Sequence, residues 1–396
     1  MKIFAIISEY NPFHNGHKLL VEKAYEKGAT HIVAIMSGSF LQRGEPALFS
    51  KFARTQTALL NGVNLVIELP VIYSNSSANN FALGAVILAN SMGCIDNIIF
   101  GSECGDIEKL YATVKTMKTL KYQDILKEQL SLGKSFAKAC CDAMANISLE
   151  YSKILQTANN TLAIEYIRAL IETKSTITPE TITRQGTMHN SYDIVGNIAS
   201  ASLIREKLSS SDDDVYRLMP INTVDILKKE IELGRISNIK NIENAIMYRL
   251  RSMTIDELRA LPDVTEGLEN RLYKAINTYS TTANIIDAVK TKRYTHARIR
   301  RIIMCAFLGI TTDTVAKASP YIRVLGFDEN GKSVLKLLKD NATLPVITKI
   351  SDSIKTLSES EKMLLMCDIK STNLQGLSFD ILQPNGEDYY TSHIRI

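Results

Sequence analysis

Over the first hundred residues the apolar positions switch between two periods. Residues 2–8 (KIFAIIS) form a short apolar run of strand length, and 30–36 (THIVAIM), 64–69 (NLVIEL) and 97–100 (NIIF) repeat it. Between them, 17–27, 50–60 and 78–91 space their apolar residues helically; in the first, Leu19, Leu20, Ala24 and Tyr25 lie on related faces. Strands alternating with helices predict an α/β fold with a parallel sheet covered on both faces. Past Gly101 the pattern is mostly helical to about Lys174. A strand-like run at 180–184 follows, then a helix at 200–208 opened by a serine cap. The polar break at 209–214 (SSSDDD) predicts a division into 1–210 and 211–396. Residues 215–308 read as helix-rich and dense in Lys and Arg. From about Thr311 helices mix with short strand-like runs, and Pro384, Asn385 and Gly386 mark a turn.

Composition narrows the class without naming a function. A chain of 396 residues suits two or three domains, and 45% apolar content is enough to build their cores. With 22% charged residues the chain does not read as disordered. The longest apolar stretch, 81–89, is broken by Asn90 and Ser91, well short of the roughly 20 residues a membrane span needs. The start is too short for a signal-peptide core. The expectation is a soluble, cytoplasmic chain with no membrane partner. The six cysteines include no C-x-x-C pair, which points to free thiols in a reducing compartment and away from structural zinc.

Candidate chemistry concentrates at residues 8–17, S-E-Y-N-P-F-H-N-G-H, between a predicted strand and a predicted helix. Ligands of open parallel sheets bind beyond the carboxyl ends of strands, and a helix start offers free N–H groups and a favourable dipole to phosphate. Gly16 removes a side chain where backbone and phosphate must approach. His14 and His17 fall on one side of the first helical turn, placed to donate hydrogen bonds to phosphate oxygens as charge builds during in-line displacement. The rival readings are a surface loop with two incidental histidines, or a metal pair. H-x-x-H without a nearby carboxylate is a poor zinc site, and no protein-held metal is expected.

His14, Asn15, Gly16 and His17 resemble the H-x-G-H signature of the nucleotidyltransferase superfamily. Ser200 to Arg205 (SASLIR) resembles its second element, a serine-containing helix start followed by arginine. Longer blocks narrow the likeness: EYNPFHNGH at 9–17, MSGSFLQRGEP at 36–46, VIELP at 66–70, FGSE at 100–103, Asn159 with Asn160 before a helix, and KTKRYTHARIRR at 290–301. Together they resemble the bacterial tRNA(Met) cytidine acetate ligase family, from residue 1 to at least 308.

The resemblance implies a Rossmann-like nucleotidyltransferase domain followed by a mostly helical RNA-binding domain. It implies that ATP activates acetate as acetyl-adenylate, and that N4 of the wobble cytidine of elongator tRNA(Met) is then acetylated. His14 and His17 would be the catalytic pair. The main ATP loop would comprise Ile7, Ser8, Glu9, Tyr10, Asn11, Pro12, Phe13, His14, Asn15, Gly16, His17, Lys18, Leu19 and Leu20. Gly101 would let adenine or ribose approach the sheet edge, and Asn160, Arg184 and Gln185 would add contacts. Ser200, Ser202 and Arg205 would hold the β- and γ-phosphates, and any Mg2+ would bind mainly through the phosphates of ATP. Two positions depart from the family pattern. Met188, His189 and Asn190 stand where an aromatic, a histidine and an acid are expected, and His296 stands in place of an arginine.

Residues 290–301 contain six Lys or Arg and no acid. Lys290, Lys292, Arg293, Arg298, Arg300 and Arg301 read either as a phosphate-contacting face or as a solvated helix face, and the resemblance favours RNA. Tyr294 is expected to stack on an unpaired base. Residues 261–276 resemble a nucleic-acid-binding helix pair and equally a plain helical bundle. Arg43 reads either as a contact for the acceptor carboxylate or RNA, or as half of an Arg–Glu turn; Glu68 reads as a buried cap partner; Glu103 falls close to the site. Two other functions stay open on the residues alone: a small-molecule adenylyl- or cytidylyltransferase, and an RNA-binding protein with a vestigial nucleotide site.

Overall fold

The computed structural model describes residues 1–184, 194–210 and 212–396. Its strands are β1 (Ile3–Ser8), β2 (His31–Ser37), β3 (Phe40–Leu41), β4 (Glu45–Pro46), β5 (Leu65–Leu69), β6 (Asn97–Ser102), β7 (Thr178–Thr183), β8 (Ile322–Phe327), β9 (Val346–Ile347) and β10 (Ile394–Arg395). One sheet has the order β10-β8-β5-β2-β1-β6-β7, with β9 beside β8, while β3 and β4 form a separate hairpin. Among the described residues, only the β5–β8 contact is antiparallel within that sheet.

Period-two alternation explains why the central strands carry apolar residues throughout. Ile3, Ala5, Val33, Ile35, Leu65 and Ile67 face one core, shared with Phe81, Ala85 and Val86 of the helix Ala78–Met92 and with Ile164 and Ile167 of Ala158–Glu172. Phe4, Ile6, Ile32, Ala34 and Met36 face the other, against Val21 and Ala24 of the helix Asn15–Glu26 and Ala58 and Leu59 of Lys51–Leu60. Both faces of a parallel sheet are thus covered, as its crossover helices require. The expected α/β class and the five predicted strands of the first 184 residues are present, each within a few residues of its expected bounds.

The chain beyond residue 211 does two things. Its helices Glu243–Arg251, Leu268–Thr278, Thr282–Val289, His296–Leu308 and Glu359–Gly376 share one core, which also takes in Phe40, Val71 and Ile72 from the first half. Residues 261–276 belong to this bundle. Its later strands β8 and β10 then return to the sheet. A buried ring of charges fastens β8: Lys51 Nζ lies 2.8 Å from both Glu68 Oε1 and Asp388 Oδ1, while Arg323 lies 2.9 Å from Glu68 Oε2 and 2.6 Å from Asp388 Oδ1. Glu68, expected as a cap partner, is a member of that ring. Removing one partner from a buried ion pair leaves an uncompensated charge, so the ring fixes the arrangement more than it adds stability.

Candidate active site

The loop from Ser8 to His14 is gripped by side chains distant in sequence. Arg54 is fully buried and donates to the carbonyl oxygens of Glu9 (2.7 Å), Ser37 (2.9 Å), Phe49 (3.1 Å) and Gly38. Burial draws its pKa down to about 10, leaving it charged at neutral pH. Asn11 Oδ1 accepts from Leu48 N at 2.7 Å, and Asn11 O accepts from Arg205 at 3.0 Å. The Asn11–Pro12 peptide is cis, and Pro12 and Phe13 are buried. Tyr10 takes a left-handed φ of 46°, held by ring contacts with Phe13 (4.9 Å) and His17 (5.0 Å).

His14 is the N-cap of Asn15–Glu26. Its Nδ1 accepts from Gly16 N at 3.0 Å, and His17 Nδ1 accepts from His14 N at 3.2 Å, a reciprocal capping box built from two imidazoles. An accepting Nδ1 carries no proton, so the hydrogen-bond network assigns the proton of each neutral ring to Nε2. Burial, with Arg184 and Arg205 nearby, pulls the His14 pKa down to about 3. Burial, His14 and Arg184 likewise hold His17 well below its ordinary value. The pair, stacked at 3.8 Å, is therefore neutral at pH 7 and offers N–H donors rather than cations. Gly16 has a nearer reason than phosphate approach: a Cβ there would meet His14 Cε1 at 2.9 Å.

Two cavities meet at these histidines. The first, about 570 Å³, is mostly apolar and includes Leu19, Leu20, Gly101, Ile182 and Ile198. It lies where β1 separates β2 from β6, the crevice at which open sheets bind ligands. At Gly101 a Cβ would find its nearest neighbour at 3.9 Å, so protein packing does not demand the glycine. The second cavity, about 970 Å³, is polar. It takes in Ile7, Ser8, Glu9, Tyr10, Asn11, Ser200, Ser202 and Arg205 from the expected set, together with Gln42, Arg43 and Asn159. His14, His17 and Arg184 line both.

The local chemistry explains these placements. Ser200 caps the helix Ala201–Ser209 by accepting from Leu203 N at 3.2 Å, which leaves the helix start facing the polar cavity. Arg205 also lies 3.6 Å from Glu45. Glu103, without a role from sequence, caps the helix Ala158–Glu172. Its carboxylate accepts from Thr157 Oγ1, Asn159 N and Nδ2, and Asn160 N at 2.7–3.2 Å. Burial opposes its charge, yet these bonds hold its pKa below the usual carboxylate value. Asn159 is thereby presented to Arg184, which donates to its Oδ1 at 2.8 Å.

Some expected contacts are placed elsewhere. Asn160 is buried and lines neither cavity; its Oδ1 accepts from Cys104 N at 3.1 Å. Its neighbour Asn159 occupies the cavity wall instead. Asn15 ties the helix start to the carbonyls of Asn197 (2.8 Å) and Arg217 (3.0 Å), while Lys18 is exposed outside both cavities. Gln185 and residues 188–190 lie outside the described residues. Among the described residues no three His, Cys, Asp or Glu side chains gather as a metal site.

The family model for HIGH Nucleotidyl Transferase matches residues 1–388. A tRNA(Met) cytidine acetate ligase from Thermoanaerobacter sp. (strain X514) is 41% identical, covering 96% of this chain and 98% of that protein. The chain belongs to the tRNA(Met) cytidine acetate ligase family. Another protein of that name, from Caldanaerobacter subterraneus subsp. tengcongensis, is 38% identical over the full length of both. The crystal structure of apo Thermotoga maritima TmcAL superposes with a TM-score of 0.94 at 31% identity, and that of TmcAL bound with alpha-thio ATP with 0.92, each covering both chains completely.

Three of the six cations in the basic segment that contributed to the family likeness have partners within the fold. Arg293 pairs with Glu266 at 2.6 Å. Arg298 donates to Asp263 O at 2.6 and 3.1 Å and to Thr265 at 3.0 Å. Arg301 donates to Gln42 O at 3.4 Å and lies 3.7 Å from Asp263. Tyr294, expected to stack on a base, is a residue 8% exposed that packs in the helical core, with the Arg298 guanidinium 5.1 Å from its ring centre. Lys290 and Lys292 are exposed and Arg300 is half-buried. The segment nonetheless reaches the polar cavity's rim. Gly44, at φ 72°, lies so close to the helix His296–Leu308 that a Cβ would meet Arg301 N at 2.5 Å.

Proposed function

We propose that this chain activates acetate with ATP as acetyl-adenylate and then acetylates N4 of the wobble cytidine of elongator tRNA(Met), in the cytoplasm. The observation that carries this reading is the junction of an apolar and a polar cavity at two neutral Nε2–H donors and Arg184. The relatives' names supply acetate and tRNA(Met) as the substrates, and the solved neighbour bound with alpha-thio ATP supports a nucleotide ligand. The apolar cavity suits the nucleoside. The α-phosphate belongs at His14, His17 and Arg184, and the outer phosphates at Ser202, Arg205 and the helix start at Ala201.

In the first step an acetate oxygen attacks the α-phosphorus, the bond to the β-phosphate oxygen breaks, and pyrophosphate leaves. Neutral imidazoles cost little to desolvate, and their N–H groups are already oriented by the capping box. They need no reorganisation as negative charge moves across the phosphate oxygens. In the second step cytidine N4 attacks the acetyl carbonyl carbon, the bond to AMP breaks, and AMP and a proton are released. The mixed anhydride carries its own leaving group, so no enzyme nucleophile is required. Mg2+ would enter on the ATP phosphates; the described residues supply no carboxylate cluster of their own for it. The tRNA would approach over the hairpin β3–β4, beside Lys290 and Lys292, with 211–396 as the tRNA-binding half and 1–210 as the catalytic half.

Incubating the purified chain with ATP, labelled acetate and bulk tRNA tests the reading. Label should enter one tRNA species, with AMP and pyrophosphate formed. Label in no RNA, with ATP consumed on a small acceptor, would indicate a small-molecule nucleotidyltransferase instead.

A further inference from the structure

Glu103 and Asn159 take no part in the chemistry proposed above, yet the fold joins them. Glu103 Oε1 accepts from Asn159 Nδ2 at 2.7 Å and from Asn159 N at 3.2 Å, and Oε2 accepts from Asn160 N at 2.7 Å and Thr157 Oγ1 at 2.9 Å. Asn160 returns the bond, its Oδ1 accepting from Cys104 N at 3.1 Å. The turn after β6 and the start of the helix Ala158–Glu172 are locked together from both sides. Arg184 is tied to this junction twice. Its backbone N donates to Ser102 O at 2.9 Å, and its Nη1 donates to Asn159 Oδ1 at 2.8 Å. Arg184 is nonetheless exposed, and it lines both cavities.

We infer that Glu103 and Asn159 are positioning residues: the Glu103 carboxylate fixes the Asn159 amide, and that amide aims the Arg184 guanidinium at the junction of the two cavities. This rests on the reading that places the α-phosphate at Arg184. The amide can stand only one way. Reversed, its oxygen would face the Glu103 carboxylate and its NH2 the guanidinium, leaving acceptor against acceptor and donor against donor. The identity of the middle residue matters as much as its orientation. A carboxylate beside Arg184 would pair with it bidentately and compete with phosphate. An amide oxygen takes one N–H and adds no charge, so it sets direction without neutralising the cation. The charge stays one residue further away. Partial desolvation lowers the Arg184 pKa, and the Glu103 carboxylate opposes that shift. A long, rotamer-rich side chain is thereby held before the ligand arrives, which is the requirement for a preorganised cation.

The test is a double-mutant cycle on the full chain, read by acetate-dependent ATP–pyrophosphate exchange and by calorimetric binding of α,β-methylene ATP. Arg184→Ala should lower exchange about 100-fold. Asn159→Leu and Glu103→Gln should each lower it about tenfold with Arg184 present, and by less than about twofold once Arg184 is replaced by alanine. The isosteric Asn159→Asp should raise the KM for ATP about tenfold by pairing with Arg184 directly. Thr157→Ala removes one bond of the Glu103 cap without touching the amide, so it should lose stability and keep the wild-type exchange rate. Circular dichroism and thermal unfolding confirm that each variant folds. Losses that add in the double variants mean that Asn159 and Glu103 act independently of Arg184, and overturn the inference. So does full exchange in folded Asn159→Leu while Arg184→Ala is inactive, a result that leaves the α-phosphate assignment standing. Nucleotide binding that follows the non-additive pattern, with no acetate-dependent exchange even in wild type, keeps the positioning roles and refutes acetate activation.

Discussion

Residues 14–17 and residues 290–301 both carry groups suited to phosphate, yet the fold employs them differently. The short segment satisfies itself locally. Each histidine spends Nδ1 on the other's helix turn and leaves Nε2 for a ligand. The long segment spends its charges on distant partners: Arg293 on Glu266, Arg298 on the Asp263 carbonyl and Arg301 on Gln42 and Asp263. A motif closed within one helical turn can be read for its free atoms. A charge run cannot, because whether each cation is available depends on acids and carbonyls far along the chain.

Substitutions in the two segments should separate their roles. The largest effect is expected at His17: His17→Ala should reduce acetate-dependent pyrophosphate release about 100- to 1,000-fold while circular dichroism stays native, as for removal of a preorganised donor. Gly16→Ala should cost about tenfold or more in the same assay by displacing the His14 ring, since a small misplacement of a positioned group is expensive. Arg301→Ala and Arg298→Ala should each destabilise the fold by about 1 kcal/mol, measured by denaturant unfolding, because they leave part-buried carbonyls without their donors. Lys290→Ala and Lys292→Ala should leave stability unchanged and lower the salt slope of tRNA binding by about one each. A large stability loss from the lysines, or none from the arginines, would reverse the assignment.

The histidines also predict a pH dependence. In the unfolded chain they titrate near 6.5, while in the fold His14 titrates at about 3 and His17 is lowered in the same direction. The unfolded state therefore binds more protons between those values, and stability of the ligand-free protein falls as pH drops from 6.5 towards 3. Replacing both histidines with glutamine should flatten that part of the unfolding profile. An unchanged slope would mean that the imidazoles are not desolvated.

Much of residues 1–184 was legible. Five strands of the first 184 residues follow from apolar and strand-like runs, the hairpin β3–β4 does not, and the helix at 201 follows from its serine cap. The loop histidines were recognisable because an i, i+3 spacing puts both on one side of the first helical turn. Other features were hidden for a physical reason. Arg54 reads as an ordinary helix residue, and only the fold brings four carbonyls to its guanidinium. Asn159 and Asn160 are adjacent and alike, and which one faces the cavity depends on the Glu103 cap. The return of β8 to the sheet as an antiparallel neighbour of β5 depends on Lys51, Glu68, Arg323 and Asp388 meeting in one buried ring. Tyr294 sits in a basic run, and nothing local distinguishes a ring that stacks on RNA from one that fills a core.

On the proposed reading, neutral, preorganised imidazoles complete the α-phosphate chemistry before RNA is involved. The direct measurement is ATP–pyrophosphate exchange in the absence of tRNA, with and without acetate, for the wild-type chain and His17→Ala. Exchange that requires acetate, needs no tRNA and disappears in folded His17→Ala is the predicted result. Exchange that needs tRNA, ignores acetate or survives in His17→Ala would contradict it.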